Sequence, residues 1–231
     1  MTVQQRYETT RKTLDEVCKQ ARRAGDDVRL IAVSKTVGLD EVAEAIAAGA
    51  SDFGENRPDQ LMEKADAFPQ ARWHFIGNIQ SRRIRDIVGR ACLIHSLTEL
   101  SHARKIDECA GALGITQNVL LEVNVSGEQS KSGLSPDEVK GVLDEVAGMA
   151  HVRVCGLMTM APQGDMNEAR KTFRGLATLA RDLRAQMEPS AAEAFCELSM
   201  GMSEDWHVAV EEGATMVRIG RGIFGARNYN I

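Results

Sequence analysis

The 231-residue chain is 43% hydrophobic and 26% charged with a net charge of −5, the balance of a globular protein long enough to bury a sizeable core. With no basic block, that charge argues against a nucleic-acid or membrane-surface partner. The scattered, odd set of five cysteines argues against a disulfide framework or a cysteine zinc site and fits a reducing compartment.

In chain order, the spacing of Val3, Tyr7, Thr10, Leu14, Val17 and Ala21 predicts a helix over residues 2–24, stopped by Gly25. The first six residues are polar and carry no apolar signal core. No apolar run approaches the roughly 20 residues that span a bilayer, so the expectation is a cytoplasmic protein.

Short apolar runs then alternate with helical patterns. Strands are expected at residues 28–33, 50–53, 72–76, 91–95, 118–124, 152–157, 195–199 and 215–219. Helices are expected at 39–48, 57–67, 81–88, 98–112, 135–149, 165–187 and 203–212. The helix at 135 has the clearest start: Ser135 as N-cap, Pro136 at the first position, Glu138 completing a capping box, and a staple between Leu134 and Val139. Met166, Ala169, Phe173, Leu176, Ala180, Leu183 and Met187 share one face of the helix at 165. A leading helix followed by eight strands alternating with helices predicts parallel strands closed into a single (β/α)8 TIM barrel, with a doubly wound open sheet as the alternative. No linker interrupts residues 1–231, so one domain is expected.

In such a barrel, chemistry gathers at the carboxyl ends of the strands. Lys35 stands just past the first, where desolvation would lower its pKa and favour the nucleophilic neutral amine. A solvated lysine is the plain alternative. After the seventh strand, Ser199-Met-Gly-Met-Ser203 precedes a helix for which Ser203 is a natural N-cap. After the eighth, Gly220 and Gly222 let backbone amides approach a ligand. A phosphate cradle beside a lysine points to a phosphorylated carbonyl ligand, either for a sugar-phosphate aldolase or for a binder of pyridoxal 5′-phosphate (PLP).

Other residues have plainer readings. His74, His95, His102, His151 and His207 show no metal-ligand spacing, and His74 reads as a hydrogen-bonded core group. Arg82, Arg83 and Arg85 read as a solvated face, and Trp73, Phe75 and the methionines as core. Arg57 is free to pair with Glu55 or with a cofactor.

Seven blocks occur in order along nearly the whole chain. They are Ala32-Val-Ser-Lys35, Phe53-Gly-Glu-Asn56, Trp73-His-Phe-Ile-Gly77 with Gln80, and Glu128-x-x-Lys131-Ser-Gly133. Gly156-Leu-Met158, Leu198-Ser-Met-Gly-Met-Ser203 and Val217-Arg-Ile-Gly220 with Ile223-Phe-Gly225 complete the set. Together they resemble the YggS-like pyridoxal phosphate homeostasis proteins. The resemblance implies the barrel of the N-terminal domain of alanine racemases, with PLP held as a Schiff base on Lys35. It implies a phosphate site at Ser199, Met200, Gly201, Ser203, Gly220 and Arg221, Asn56 beside the ring, and Arg218 facing the pyridine nitrogen. Lys131 matches a family lysine implicated in cofactor exchange. Ser81-Arg82-Arg83 departs from the Asn-Lys the family often carries there.

The implied role is intracellular carriage and homeostasis of PLP without turnover, by a monomer whose partners are PLP and PLP-dependent apoenzymes. The alternative is a PLP-dependent amino-acid racemase of low activity. Arg218 disfavours a protonated ring through like-charge repulsion. A racemase also needs a second base, which in two-domain relatives is a tyrosine from an added β domain. The chain ends at Ile231, shortly after the last strand, and its two tyrosines, Tyr7 and Tyr229, lie in the leading helix and the tail. Negligible racemase turnover is therefore expected.

Overall fold

The computed structural model describes residues 1–128 and 131–225. It begins with α1 (Val3–Gln20), whose first turn is closed by Thr2 and Gln5 in a capping box. The helix ends four residues before the expected stop at 24. Arg23 N–H donates to the Cys18 carbonyl and Arg22 N–H to that of Lys19, the double bond of a Schellman end. Arg22 takes the left-handed conformation this needs (φ 58°). Gly25 instead opens a 3-10 turn, Gly25–Asp27. A non-glycine residue at that position hides the helix end from sequence patterning.

The alternation then runs β1 (Arg29–Val33), α2 (Leu39–Ala47), β2 (Asp52–Glu55), α3 (Pro58–Ala67), β3 (Arg72–Phe75) and α4 (Ile84–Ile87). It continues through β4 (Leu93–Leu97), α5 (Leu100–Leu113), β5 (Gln117–Glu122), α6 (Pro136–Ala147), β6 (Val152–Met158) and α7 (Met166–Arg184). It closes with α8 (Pro189–Ala194), β7 (Glu197–Ser199), α9 (Trp206–Glu211), β8 (Met216–Ile219) and α10 (Arg221–Phe224). Among the described residues the strands form one closed parallel barrel in sequence order. Closure is made by β1 against β8, with Ile31 opposite Arg218 and Ala32 opposite Ile219. The (β/α)8 barrel is therefore present, and the open doubly wound sheet is not.

Several boundaries differ from expectation for one reason. β2 runs two residues beyond 53 and β4 two beyond 95 because each carries polar residues inward of its apparent end. Glu55 is fully buried but bound to Lys64 and Ser34, and the Ser96 hydroxyl donates to the Gly77 carbonyl at 2.5 Å. A buried polar group is tolerated once partnered, so polarity alone misplaced the ends. Residues 81–83 form a 3-10 turn ahead of α4, and two short helices, α8 and α10, were not anticipated.

The helix α10 is a single turn, too short to cover the seam between β8 and β1. The leading helix does so instead. Arg6 of α1 donates to the carbonyls of Ile223 and Phe224 in α10, Tyr7 donates to the Gly49 carbonyl just after α2, and Arg23 holds the carbonyls of Val210 and Ala214 around the end of α9. The first helix thus stands where an eighth crossover helix would.

Two hydrophobic regions result. A large one lies between strands and helices, with Leu14, Phe53, Leu61, Phe75, Ile106 and Phe173 fully buried in it. The barrel interior holds a small one of Ile31, Leu93, Leu120, Met158 and Met216. Among the described residues no helix is long and apolar enough to cross a membrane.

Candidate functional site

Lys35 sits on a tight turn at the carboxyl end of β1. Val37 N–H closes the turn on the Ser34 carbonyl at 3.1 Å. Thr36 is forced to φ 64°, a conformation rare for a β-branched residue and costing on the order of 1–3 kcal/mol. The same carbonyl accepts from the buried Lys64 ammonium at 2.7 Å. Lys64 also pairs with Glu55 at 2.6 Å, and Glu55 accepts the Ser34 hydroxyl at 2.6 Å. This cluster, on the outer side of the strands, fixes the backbone from which Lys35 reaches inward. Lys64 escaped the sequence reading because it looks like one more surface lysine of a helix. Only the fold shows it to be 2% exposed.

Lys35 borders a cavity of about 490 Å³ at the carboxyl ends of the strands. Asn56 after β2, Arg218 on β8, Gly220 and Arg221 after β8, and Met202, Ser203, Glu204 and Asp205 after β7 share it. Val33, Ile76 and Met158 supply apolar wall, and the β6–α7 loop (Met160, Pro162, Gln163, Gly164) closes one side. That loop had no sequence signal, being neither periodic nor motif-bearing. A larger groove of about 760 Å³ lies on the outer flank around α6, α8 and the start of β6, away from the strand ends that carry Lys35.

Of the expected contacts, Lys35, Asn56, Ser203, Arg218, Gly220 and Arg221 line the cavity. Ser199, Met200 and Gly201 do not. Met200 packs in the outer apolar shell. Gly201, at φ 92°, lies so close under α9 that a Cβ would stand 2.6 Å from that of Ala209, so its role is to let the loop turn inward. Ser199 is fully buried beneath the cavity, with its Oγ 2.8 Å from His95 Nδ1 and accepting from Arg218 Nη1 at 2.5 Å. Nor is Ser203 the N-cap. The helix starts at Trp206 with Asp205 at the cap, because the Asp205 carboxylate turns back to accept Met202 N–H at 2.6 Å. The aspartate shapes the loop and leaves Ser203 on the cavity wall. Lys131 stands at the rim, its Nζ 3.4 Å from the Met160 carbonyl and 3.4 Å from Glu128. Arg57 pairs with Asp59 in solvent, not with Glu55.

The electrostatics favour an anionic ligand with acceptor atoms. Arg218 is 5% exposed; burial pulls its pKa down to about 10, while Asp205 and Glu122 oppose that fall. Burial raises the carboxyl pKa of both Asp205 and Glu122, with Arg218 countering. Arg221 pairs with Glu204, which joins the loops after β7 and β8. The first amides of the α10 turn, at residues 221 and 222, lack the internal partners of a longer helix. The Asn56 Oδ1 is buried without a hydrogen-bond partner, a polar atom left for a ligand to satisfy.

Fold and site thus define a barrel domain of the alanine racemase type, with Lys35 at the end of the first strand. The family profile of the alanine racemase N-terminal domain matches residues 11–228. A pyridoxal phosphate homeostasis protein of Aquifex aeolicus is 38% identical over 94% of both chains. PipY of Synechococcus elongatus, solved with PLP bound, superposes with a TM-score of 0.79 at 33% identity, over 92% of this chain and all of that one. A crystal structure of an unknown protein from Bifidobacterium adolescentis superposes with a TM-score of 0.91 at 33% identity, over 96% and 94% of the two chains. The chain belongs to the alanine racemase N-terminal domain family and, within it, to the pyridoxal phosphate homeostasis proteins.

Proposed function

We propose that this protein binds pyridoxal 5′-phosphate, holds it on Lys35, and serves its storage and carriage in the cell without turning over a substrate. One observation carries the reading: Lys35, the orphaned Asn56 Oδ1 and the buried Arg218 guanidinium converge on one cavity of about 490 Å³. The residues fit the group. When bound, PLP supplies an aldehyde carbon that condenses with a lysine amine and releases water.

The chain's own residues do the rest. The Ser34–Glu55–Lys64 cluster holds the Lys35 backbone, and Val33, Ile76 and Met158 give its cavity an apolar wall. With the cofactor bound, Arg218 would donate to the ring nitrogen, and its positive charge would disfavour protonation there. Ser203, Arg221 and the free amides of the α10 turn take the phosphate. Lys131, at the rim beside Met160, is placed to meet the cofactor as it enters or leaves.

Among the described residues no tyrosine lines the site: Tyr7 is bound to the outer wall, and Tyr229 lies outside the described residues. The carrier role, the monomeric state, the cytoplasmic setting and delivery to PLP-dependent apoenzymes belong to this reading.

Purified protein should show a visible absorbance band that borohydride abolishes, with the added mass on Lys35. Mass found on Lys131 alone overturns the assignment, and robust conversion of L- to D-alanine overturns the carrier role.

A further inference from the structure

The interior of the barrel is crossed by a continuous polar chain. At its base, Arg72 (side chain 54% exposed) grips Asp52 from outside, with Nε 3.0 Å from Oδ1 and Nη2 2.9 Å from Oδ2. Asp52 Oδ1 lies 3.0 Å from His74 Nε2, His74 Nδ1 2.9 Å from His95 Nε2, and His95 Nδ1 2.8 Å from Ser199 Oγ. Ser199 Oγ accepts from Arg218, whose other terminal nitrogen donates to the Thr159 carbonyl at 3.0 Å. Asp52, His74, His95 and Ser199 are all at most 3% exposed.

The two ends dictate how every link is made. A guanidinium can only donate and an ionised carboxylate can only accept. With neutral rings the Asp52 end sets the order: His74 carries its proton on Nε2 and donates to Asp52, His95 carries its proton on Nε2 and donates to His74 Nδ1, and Ser199, which accepts from Arg218, gives its own proton to His95 Nδ1. Burial lowers the pKa of both imidazoles, that of His95 well below its ordinary value, which favours the neutral rings this order requires. Burial alone would raise the Asp52 carboxyl, but hydrogen bonds from His74 and Ser51 and the Arg72 charge hold it at about 2. All donors run one way, from the cavity to the base. The outer-shell clusters of the fold do not need such order, and packed apolar residues would fill the same volume at lower cost.

We propose that Asp52, His74, His95 and Ser199 are positioning residues of the cofactor site, a one-directional hydrogen-bond chain that aims Arg218 at the ring nitrogen and couples that contact to the barrel's far end. The proposal rests on the reading that Arg218 faces the ring of bound pyridoxal 5′-phosphate. Of the five donors of a guanidinium, two are engaged below by Ser199 and Thr159, which turns the others toward the cavity. The negative end at Asp52 polarises each link in the same sense.

The test uses the full chain, with and without added pyridoxal 5′-phosphate. In the cofactor-free protein labelled with 15N-histidine, His74 and His95 should both appear at neutral pH as uncharged Nε2–H tautomers. Either imidazole protonated, or in the Nδ1–H form, overturns the chain. In the loaded protein, Ser199→Ala and Asp52→Asn should shift the visible band and weaken cofactor binding about tenfold, the scale of losing a hydrogen bond to a charged group. Both should still take the borohydride mass on Lys35, and Ser199→Thr, which restores the hydroxyl, should recover the parent spectrum. Asp52→Asn is the decisive variant, since Asp52 does not border the cavity. If wild type fails to load on Lys35, the functional reading falls. If wild type loads and both variants keep its band position and affinity, only the coupling falls. Should Asp52→Asn fail to fold, Ser199→Ala against Ser199→Thr decides by the same two readouts.

Discussion

The shell between strands and helices and the interior of the barrel are built from the same strands, yet they bury opposite chemistry. Outward-facing residues such as Phe53, Trp73, Phe75 and Val217 meet the helices in one apolar layer. Inward-facing residues of the same strands include Asp52, His74 and Arg218, which leave room for only five clustered apolar side chains. The shell gains its stability from area removed from water and tolerates exchange of one hydrophobe for another of similar volume. The interior must satisfy each donor and acceptor in turn, and a broken link leaves a buried charge or dipole exposed to an apolar wall. The shell thus holds most of the buried apolar area, and the column the buried polar groups of the interior.

The largest effect expected from either region is functional. Lys35→Ala should abolish covalent attachment of pyridoxal 5′-phosphate, seen as complete loss of the borohydride-trapped mass. Its urea midpoint should stay near wild type, because the half-buried side chain belongs to the cavity and not to the packed layer; a folding collapse would contradict the division.

Phe173→Ala, in the shell, should do the reverse. Phe173 is fully buried on α7, and its truncation should cost about 3–5 kcal/mol in denaturant unfolding. The fraction that remains folded should keep its cofactor band.

Acid separates the regions by a different route. His74 and His95 have folded pKa values below the 6.5 of the unfolded chain, so unfolding takes up protons and stability falls as pH drops below about 6.5. Each histidine contributes a slope of at most about 1.4 kcal/mol per pH unit. Asp52, held at about 2 against 3.8, adds a further loss as pH falls from about 4 toward 2. Stability measured from pH 7.5 to 5 should show this slope in wild type and in Phe173→Leu, and lose part of it in His95→Phe. An equal slope in all three would remove the histidines as its cause.

The smallest effect should come from the periphery. The Asp165 carboxylate caps α7, accepting from the amides of Asn167 at 2.8 Å and Glu168 at 3.2 Å. Asp165→Ala should cost about 1 kcal/mol in urea unfolding and leave cofactor affinity unchanged.

The two regions were also unequally legible. The shell could be read from the sequence, since Leu14 recurs in helical register, residues 28–33 read as a buried strand, and the face of Ala169, Phe173, Leu176 and Leu183 on α7 is the buried one. The column could not. His95 was one of five histidines without metal spacing, Asp52 an acidic residue within the strand expected at 50–53, and Ser199 a hydroxyl near a glycine. Their partners in the column are 19 to 104 residues away in sequence, so no local pattern marks them. Lys64 was hidden because it looks like a surface lysine of a helix, whereas Lys35, Asn56 and Arg218 were picked out by their strand ends and by likeness to a family.

By itself, then, the sequence determined the order and number of parallel units, the lysine at the first strand end and the glycines of the α10 turn. These depend on periodicity and chain order, which are properties of neighbours along the chain. Tertiary structure alone decided that α1 stands in for an eighth crossover helix, and that Ser199 serves Arg218 from below. It also decided that two buried imidazoles link an aspartate at the barrel's base to an arginine at its mouth through a serine hydroxyl. Hydrogen bonds between strands are fixed by register around a closed barrel, and that register exists only once β8 has met β1.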